Sequence, residues 1–167
     1  MNRQSISDCT YSIEDAVLHR RRLKSSGKTF VLTNGCFDLL HAGHVSSLVE
    51  ASQFGDELWV AVNSDLSVSR IKGTKRPIIP QLERAYMVKS LECVSGVIIF
   101  ETDRLTEQIL LLQPDIYVKS CDYNENTIDA SEKESLKMVN AKLKFTCLID
   151  SLSTSKIIDK IRLLSLN

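Results

Sequence analysis

Apolar positions recur with two different periods along the chain. Helical spacing runs through Ile13–Lys24, about Gly43–Phe54, Leu66–Ile71, Gln81–Val94, Leu105–Leu112, Ser131–Ala141 and Ser153–Leu164. In the fourth of these, Leu82, Ala85, Tyr86, Val88 and Leu91 fall on one side. Between the helices lie short apolar runs at Phe30–Thr33, Leu58–Asn63, Val97–Phe100, Ile116–Lys119 and Leu143–Ile149, which predict five strands. The run LWVAVN at 58–63 is apolar on both faces, as a strand buried within a parallel sheet must be. Strand and helix alternating throughout predict an α/β fold: a five-stranded parallel sheet with helices on both faces. Such sheets take ligands at the carboxyl ends of their strands, where the strand order reverses. Ser12 and Asp15 form a capping box at the start of the first helix. Arg20, Arg21, Arg22 and Lys24 crowd its last turn, where cations suit the negative end of the dipole, and are expected to be a solvated face.

Composition narrows the class. The chain has 167 residues, enough for one domain with a real core, and 43% of them are apolar. Residues 1–10 are polar and expected to be loosely ordered; residues 11–167 form a single domain. Lys and Arg total 21, as do Asp and Glu, which argues against a strongly basic nucleic-acid binder. No apolar run reaches bilayer-spanning length and Met1–Thr10 does not resemble a signal peptide, so no membrane association and a cytoplasmic location are expected. The five cysteines include no CxxC pair, so neither a disulfide framework nor a zinc knuckle is expected. The lysine- and glutamate-rich stretch 124–144 reads as solvent-facing.

The densest chemical signal is TNGCFDLLHAGH at 33–44, between the first strand and the following helix. Backbone N–H groups are unpaired at such a junction and the helix dipole is positive, so phosphate belongs there. His41 and His44, two of the chain's three histidines, are three residues apart and aim at one point. Gly43 between them lets a bulky ligand approach the backbone. No Cys or third His stands at zinc-ligand spacing, so no metal site is expected. Neither GxGxxG nor GxxxxGK[ST] is present. Asp38 either faces a ligand or holds the loop through backbone N–H groups, the commoner fate of a loop aspartate. Lys72, Lys75 and Arg76 lie in a Gly- and Pro-containing loop suited to closing over phosphates. Lys119 ends the fourth strand, where burial without an anion is costly. Ser153, Thr154 and Ser155 precede the last helix and offer hydroxyls and free N–H groups, either as an N-cap or as a grip on phosphate.

NGCFDLLHAGH carries the HxGH signature of the nucleotidyltransferase superfamily. GDELWVAVNSD (55–65), KGTKRPIIPQLERA (72–85), PDIYVKSCDY (114–123) and SLSTSKII (151–158) extend the match. Together they resemble the bacterial D-glycero-β-D-manno-heptose 1-phosphate adenylyltransferases, from about Tyr11 to Arg162. In some members this domain is fused behind a sugar kinase; here it is expected to stand alone. The resemblance implies a Rossmann-like nucleotidyltransferase fold and transfer of the adenylyl group of ATP to a sugar 1-phosphate, with release of pyrophosphate. It also implies Mg²⁺ accompanying ATP, a homodimer, and a product feeding lipopolysaccharide core synthesis.

By the same resemblance, His41 and His44 stabilise the transferring phosphorus, with Lys72 as a third catalytic group. Thr33, Asn34, Gly35, Phe37, Gly43, Lys119, Asp122, Ser153, Thr154 and Ser155 bind the nucleotide. Asp65, Arg76 and Arg84 bind the sugar phosphate. The chain departs from the family at Ser120-Cys121, where two glycines are usual, and at Ser151 in place of a glycine. Side chains beside the base pocket put adenine preference in question. A glycerol-3-phosphate cytidylyltransferase of the same superfamily is the nearest alternative, but Leu148 stands where that family has an arginine. A non-catalytic nucleotide sensor on the same fold is the other.

Overall fold

The computed structural model describes Ile6 and residues 8–120, 127–146 and 153–164. Within these, helices α1 (Ile13–Ser25), α2 (Ala42–Ser52), α3 (Asp65–Lys72), α4 (Gln81–Lys89), α5 (Thr106–Leu112), α6 (Ala130–Met138) and α7 (Thr154–Leu164) alternate with or follow five strands. The strands are β1 (Phe30–Gly35), β2 (Glu57–Asn63), β3 (Gly96–Phe100), β4 (Ile116–Ser120) and β5 (Lys142–Thr146). They pair in the order β3-β2-β1-β4-β5, all parallel. The chain therefore winds outward from β1 to one edge, returns, and winds to the other. The reversal falls between β1 and β4, and a crevice opens at their carboxyl ends.

Side chains alternate between two cores, one on each face of the sheet. Phe30, Leu32, Trp59, Ile98 and Tyr117 pack with Ala16 and Leu23 of α1, Ile109 of α5 and Leu136 of α6. Val31, Val60, Val62, Val97 and Val118 pack with Leu48 and Ala51 of α2 and Ala85 and Val88 of α4. Gly96 is required by this packing: a Cβ there would lie 2.4 Å from the Trp59 ring. Among the described residues, no helix is long and apolar enough to cross a membrane.

Ser12 caps α1 by accepting from Asp15 N–H at 3.0 Å, while its own hydroxyl donates to the Asp15 carboxylate. The basic end of α1 is not wholly solvated. Arg20 is buried; its Nε and Nη2 donate to the Gln113 carbonyl, and Nη2 also donates to Asp115 Oδ1 at 2.8 Å. Asp115 in turn accepts from Phe30 N–H, so the arginine ties α1 to the entries of β1 and β4. Helix α4 stops at Lys89, five residues before the periodicity ends. Ser90 N–H and hydroxyl both donate back to the Tyr86 carbonyl, and turns follow through Leu91 and Val94. Both residues still pack in the second core, which explains why the apolar spacing outlasts the helix. Tyr11 N–H donates to the Val97 carbonyl, and Cys9 packs on the second core. Strand β5 is described to Thr146; the rest of its predicted run lies outside the described residues.

Candidate functional site

The carboxyl end of β1 is fixed from both sides. Thr33 Oγ1 donates to the Val118 carbonyl of β4 at 2.8 Å. Asn34 Oδ1 accepts from the Tyr117 hydroxyl and from Lys119 Nζ, each at 2.8 Å. The chain then turns sharply at Phe37, whose φ of +49° is left-handed, and the ring folds back under the turn. A Cβ at position 35 would stand 2.9 Å from that ring, so a side chain there would require the ring to shift. Asp38 is 1% exposed. Its Oδ1 accepts from Ile78 and Ile79 N–H at 2.7 and 3.1 Å, and its Oδ2 pairs with Arg76 Nε. The aspartate therefore clamps the 73–80 loop against the turn, and Arg76 is anchored within the loop expected to close over phosphates.

His41 stands at the N-cap of α2 in extended conformation and makes no side-chain cap bond. Its ring stacks on that of His44, with centroids 3.8 Å apart and planes 23° apart, and Phe37 backs His44 at 5.3 Å. Nδ1 of each imidazole is buried without a hydrogen-bond partner in this structure. Burial lowers the pKa of His41. It lowers that of His44 to about 4, helped by the adjacent ring and opposed by the Leu39 backbone. Both shifts favour the neutral ring. Two stacked imidazoles bordering the cleft beside a helix N-terminus are a setting that suits an anion.

The histidines open on a cleft of about 330 Å³. Thr33, Asn34, Gly35, Phe37 and Gly43 border it with them. Lys72 and Arg76 border it from the α3 side, Lys119 from β4, and Ser153, Thr154 and Ser155 from the start of α7. Ser153 Oγ also accepts from Lys156 N–H at 3.3 Å, so cap and cleft wall are one residue. Asp122 lies outside the described residues.

Two predicted contacts do not reach the cleft. Arg84 is 0% exposed and lies behind its floor. Its nitrogens donate to the carbonyls of Ile79, Cys36 and Asn63 and to Asp65 Oδ1. The guanidinium is consumed in joining the β1 turn, the end of β2 and the 73–80 loop. Asp65 is its counter-charge, and neither lines the cavity.

Other residues in the wall were missed. Glu132 lies in the stretch expected to face solvent, yet it is 2% exposed and borders the cleft. Its spacing to Ser135 and Leu136, also buried, was the available signal: one turn of a helix with a buried face. Asn63 and Ser47 also border the cleft; Asn63 ends β2, and Ser47 Oγ lies 2.6 Å from Thr146 Oγ1. Among the described residues no group of three or more His, Cys, Asp or Glu could hold a metal ion.

Residues 32–160 match the family model described as Cytidylyltransferase-like. The chain is 45% identical over 139 residues to the Bifunctional protein HldE of Geotalea uraniireducens, covering 83% of this chain and 28% of that protein. It is 42% identical over 149 residues to the Bifunctional protein HldE of Nitratiruptor sp., covering 89% and 31%. The chain thus spans less than a third of the curated relatives it matches. Among solved structures, the lipopolysaccharide core biosynthesis protein from Thermoplasma volcanium superposes with a TM-score of 0.60 at 28% identity, over 73% of this chain and 97% of that one. Pantoate-beta-alanine ligase from Francisella tularensis shares the fold at a TM-score of 0.58 and 14% identity, over 81% and 65%.

Proposed function

The chain belongs to the cytidylyltransferase-like family, and from that premise we propose that it transfers the adenylyl group of ATP to D-glycero-β-D-manno-heptose 1-phosphate, giving ADP-heptose and pyrophosphate for lipopolysaccharide core synthesis. The observation that carries this reading is the stacked imidazole pair with unpartnered nitrogens at the topological switch point. The 28–31% share of the relatives that the chain covers makes the substrates a matter for assay.

An oxygen of the sugar 1-phosphate attacks the α-phosphorus of ATP. A P–O bond forms to the acceptor, and the bond from the α-phosphorus to the bridging oxygen breaks. Its electron pair leaves on pyrophosphate. The attacking oxygen is already ionised at neutral pH, so the reaction needs no side-chain base. It needs two polyanions aligned and the charge on the transferring group stabilised. His41 and His44 supply N–H donors at that point, and an arriving anion draws their proton affinity upward. Ser153–Ser155 and the α7 N-terminus receive the distal phosphates on the β4–β5 side. Lys72 and Arg76 receive the acceptor on the β2 side. Asp38, Asp103 and Glu132 are bound to cations or N–H groups of the chain itself, so among the described residues the carboxylates in this wall form no cage for Mg²⁺. Mg²⁺ enters this reading as part of the nucleotide substrate. A cytoplasmic homodimer belongs to the same reading.

Four nucleoside triphosphates, each paired with heptose 1-phosphate and with glycerol 3-phosphate, test it through pyrophosphate release. ATP with heptose 1-phosphate is the pair expected to react. CTP with glycerol 3-phosphate reacting instead would replace this reading with the cytidylyltransferase, and silence from every pair would leave a sensor. His41→Ala and His44→Ala are expected to lower turnover about 10²–10³-fold each with the fold intact. Near-normal turnover in either removes that ring from the reaction.

A further inference from the structure

A cleft built to receive a polyphosphate has a buried carboxylate in its wall. Glu132 projects from α6, and its two oxygens are divided between partners. Oε1 accepts from Leu105 N–H at 3.0 Å, which fixes the carboxylate to the loop ahead of α5, and from the Tyr117 hydroxyl at 3.5 Å, whose ring also lies 5.2 Å from Lys119 Nζ. Oε2 lies 3.1 Å from Lys119 Nζ. The lysine is 6% exposed, and its ammonium also donates to Asn34 Oδ1 at the end of β1. Lys119 and Glu132 both border the cleft.

A carboxylate there would repel an incoming nucleotide if it acted alone. Its position makes sense through the lysine. A buried amine without a counter-charge gives up its proton, and a neutral amine offers an anion little. Burial does pull the pKa of Lys119 down, with Arg104 adding to the pull. The charge and hydrogen bond of Glu132 oppose it, with a smaller contribution from Asp129. His41 and His44 share the cleft, and burial lowers the pKa of each, that of His44 to about 4.

We propose that Glu132 is a positioning residue for nucleotide binding: its carboxylate keeps Lys119 an ammonium and holds it against Asn34, so that the nucleotide meets a charge already in place. The inference rests on the cleft being a nucleotide site. Replacing Glu132 by Gln removes the counter-charge and presents an amide N–H₂ to the ammonium or, flipped, to Leu105 N–H, so in either orientation the ammonium loses the charge that opposes its burial. Nucleotide binding would then have to take up a proton at Lys119. A binding step coupled to one proton weakens about tenfold for each pH unit above the pKa of the free site.

The test is the Kd of Mg-ATP by titration calorimetry on the full chain at pH 7.5 and 9.0, with circular dichroism to verify folding. Wild type is expected to change by less than about threefold. Glu132→Gln is expected to weaken by about tenfold or more between the two pH values. Glu132→Asp, which keeps the charge one methylene further away, should show a smaller dependence of the same sign and decides the matter if the Gln variant does not fold. In a Lys119→Met background, Glu132→Gln should add no pH dependence. Profiles parallel to wild type in both Glu132 variants, or a pH limb that survives loss of Lys119, would overturn the inference and leave the nucleotide reading standing. No binding of Mg-ATP by wild type at either pH would overturn that reading, and the inference with it.

Discussion

Acid should strike this protein first at His44. The imidazole has an ordinary pKa of 6.5 and one of about 4 in the folded chain, because burial and the adjacent ring disfavour its charge. Between those values the unfolded chain holds a proton that the folded chain refuses. Stability from this residue is therefore complete above about pH 6.5 and is lost as the pH falls toward 4. At about 1.4 kcal/mol for each tenfold change in proton affinity, the full loss is about 3 kcal/mol. A domain has only about 5–15 kcal/mol to lose. Urea unfolding of wild type and His44→Gln at pH 7.5, 5.5 and 4.5 measures it. Carboxylates titrate in both proteins, so the difference between the two isolates the histidine. Wild type should lose about 2–3 kcal/mol more than the variant between pH 7.5 and 4.5. If the two decline in parallel, the ring is solvated in the free chain, and the argument from two neutral, orphaned imidazoles fails.

Two further substitutions test the scaffold around the site. Arg84→Lys cannot reach four acceptors with one ammonium. It should cost about 2–5 kcal/mol in denaturant unfolding through unpartnered carbonyls, with the KM for the sugar 1-phosphate little changed; unaltered stability with a raised acceptor KM would return Arg84 to the substrate. Asp38→Asn should release the 73–80 loop, read as faster trypsin cleavage at Lys72 and Lys75 in the folded protein, and an unchanged cleavage rate would mean that the loop is held by something else.

Local pattern was enough for the alternation of strands and helices and for the imidazole turn, because both depend on neighbours in the chain. Charged residues were a different matter. Arg20, Arg84 and Glu132 all lie in stretches rich in charge, where composition suggests water, a ligand or both. Their partners are Asp115, the carbonyls of Cys36 and Asn63, and Lys119, all remote or on other elements. A guanidinium looks the same in sequence whether it awaits a substrate or is satisfied by backbone carbonyls. Lys119 shows the same limit from the other side. Its position at the end of a strand pointed to an anion, and an anion is present, but the chain supplies one itself. The end of α4 was missed because Leu91 and Val94 serve the same core from turns as they would from a helix.

The strand order has a consequence for divergence. With β1 at the centre, the imidazole pair sits on the axis of the sheet, and the cleft has two wings, one bordered by Lys72 and Arg76 and the other by Lys119 and Ser153–Ser155. If the proposed reaction holds, loops after β2 and β3 can be rewritten for a new acceptor while the wing of β4 and β5 is left as it is, and the reverse exchange is equally open. An architecture of this kind lets selection trade one specificity without renegotiating the other or disturbing the chemistry between them.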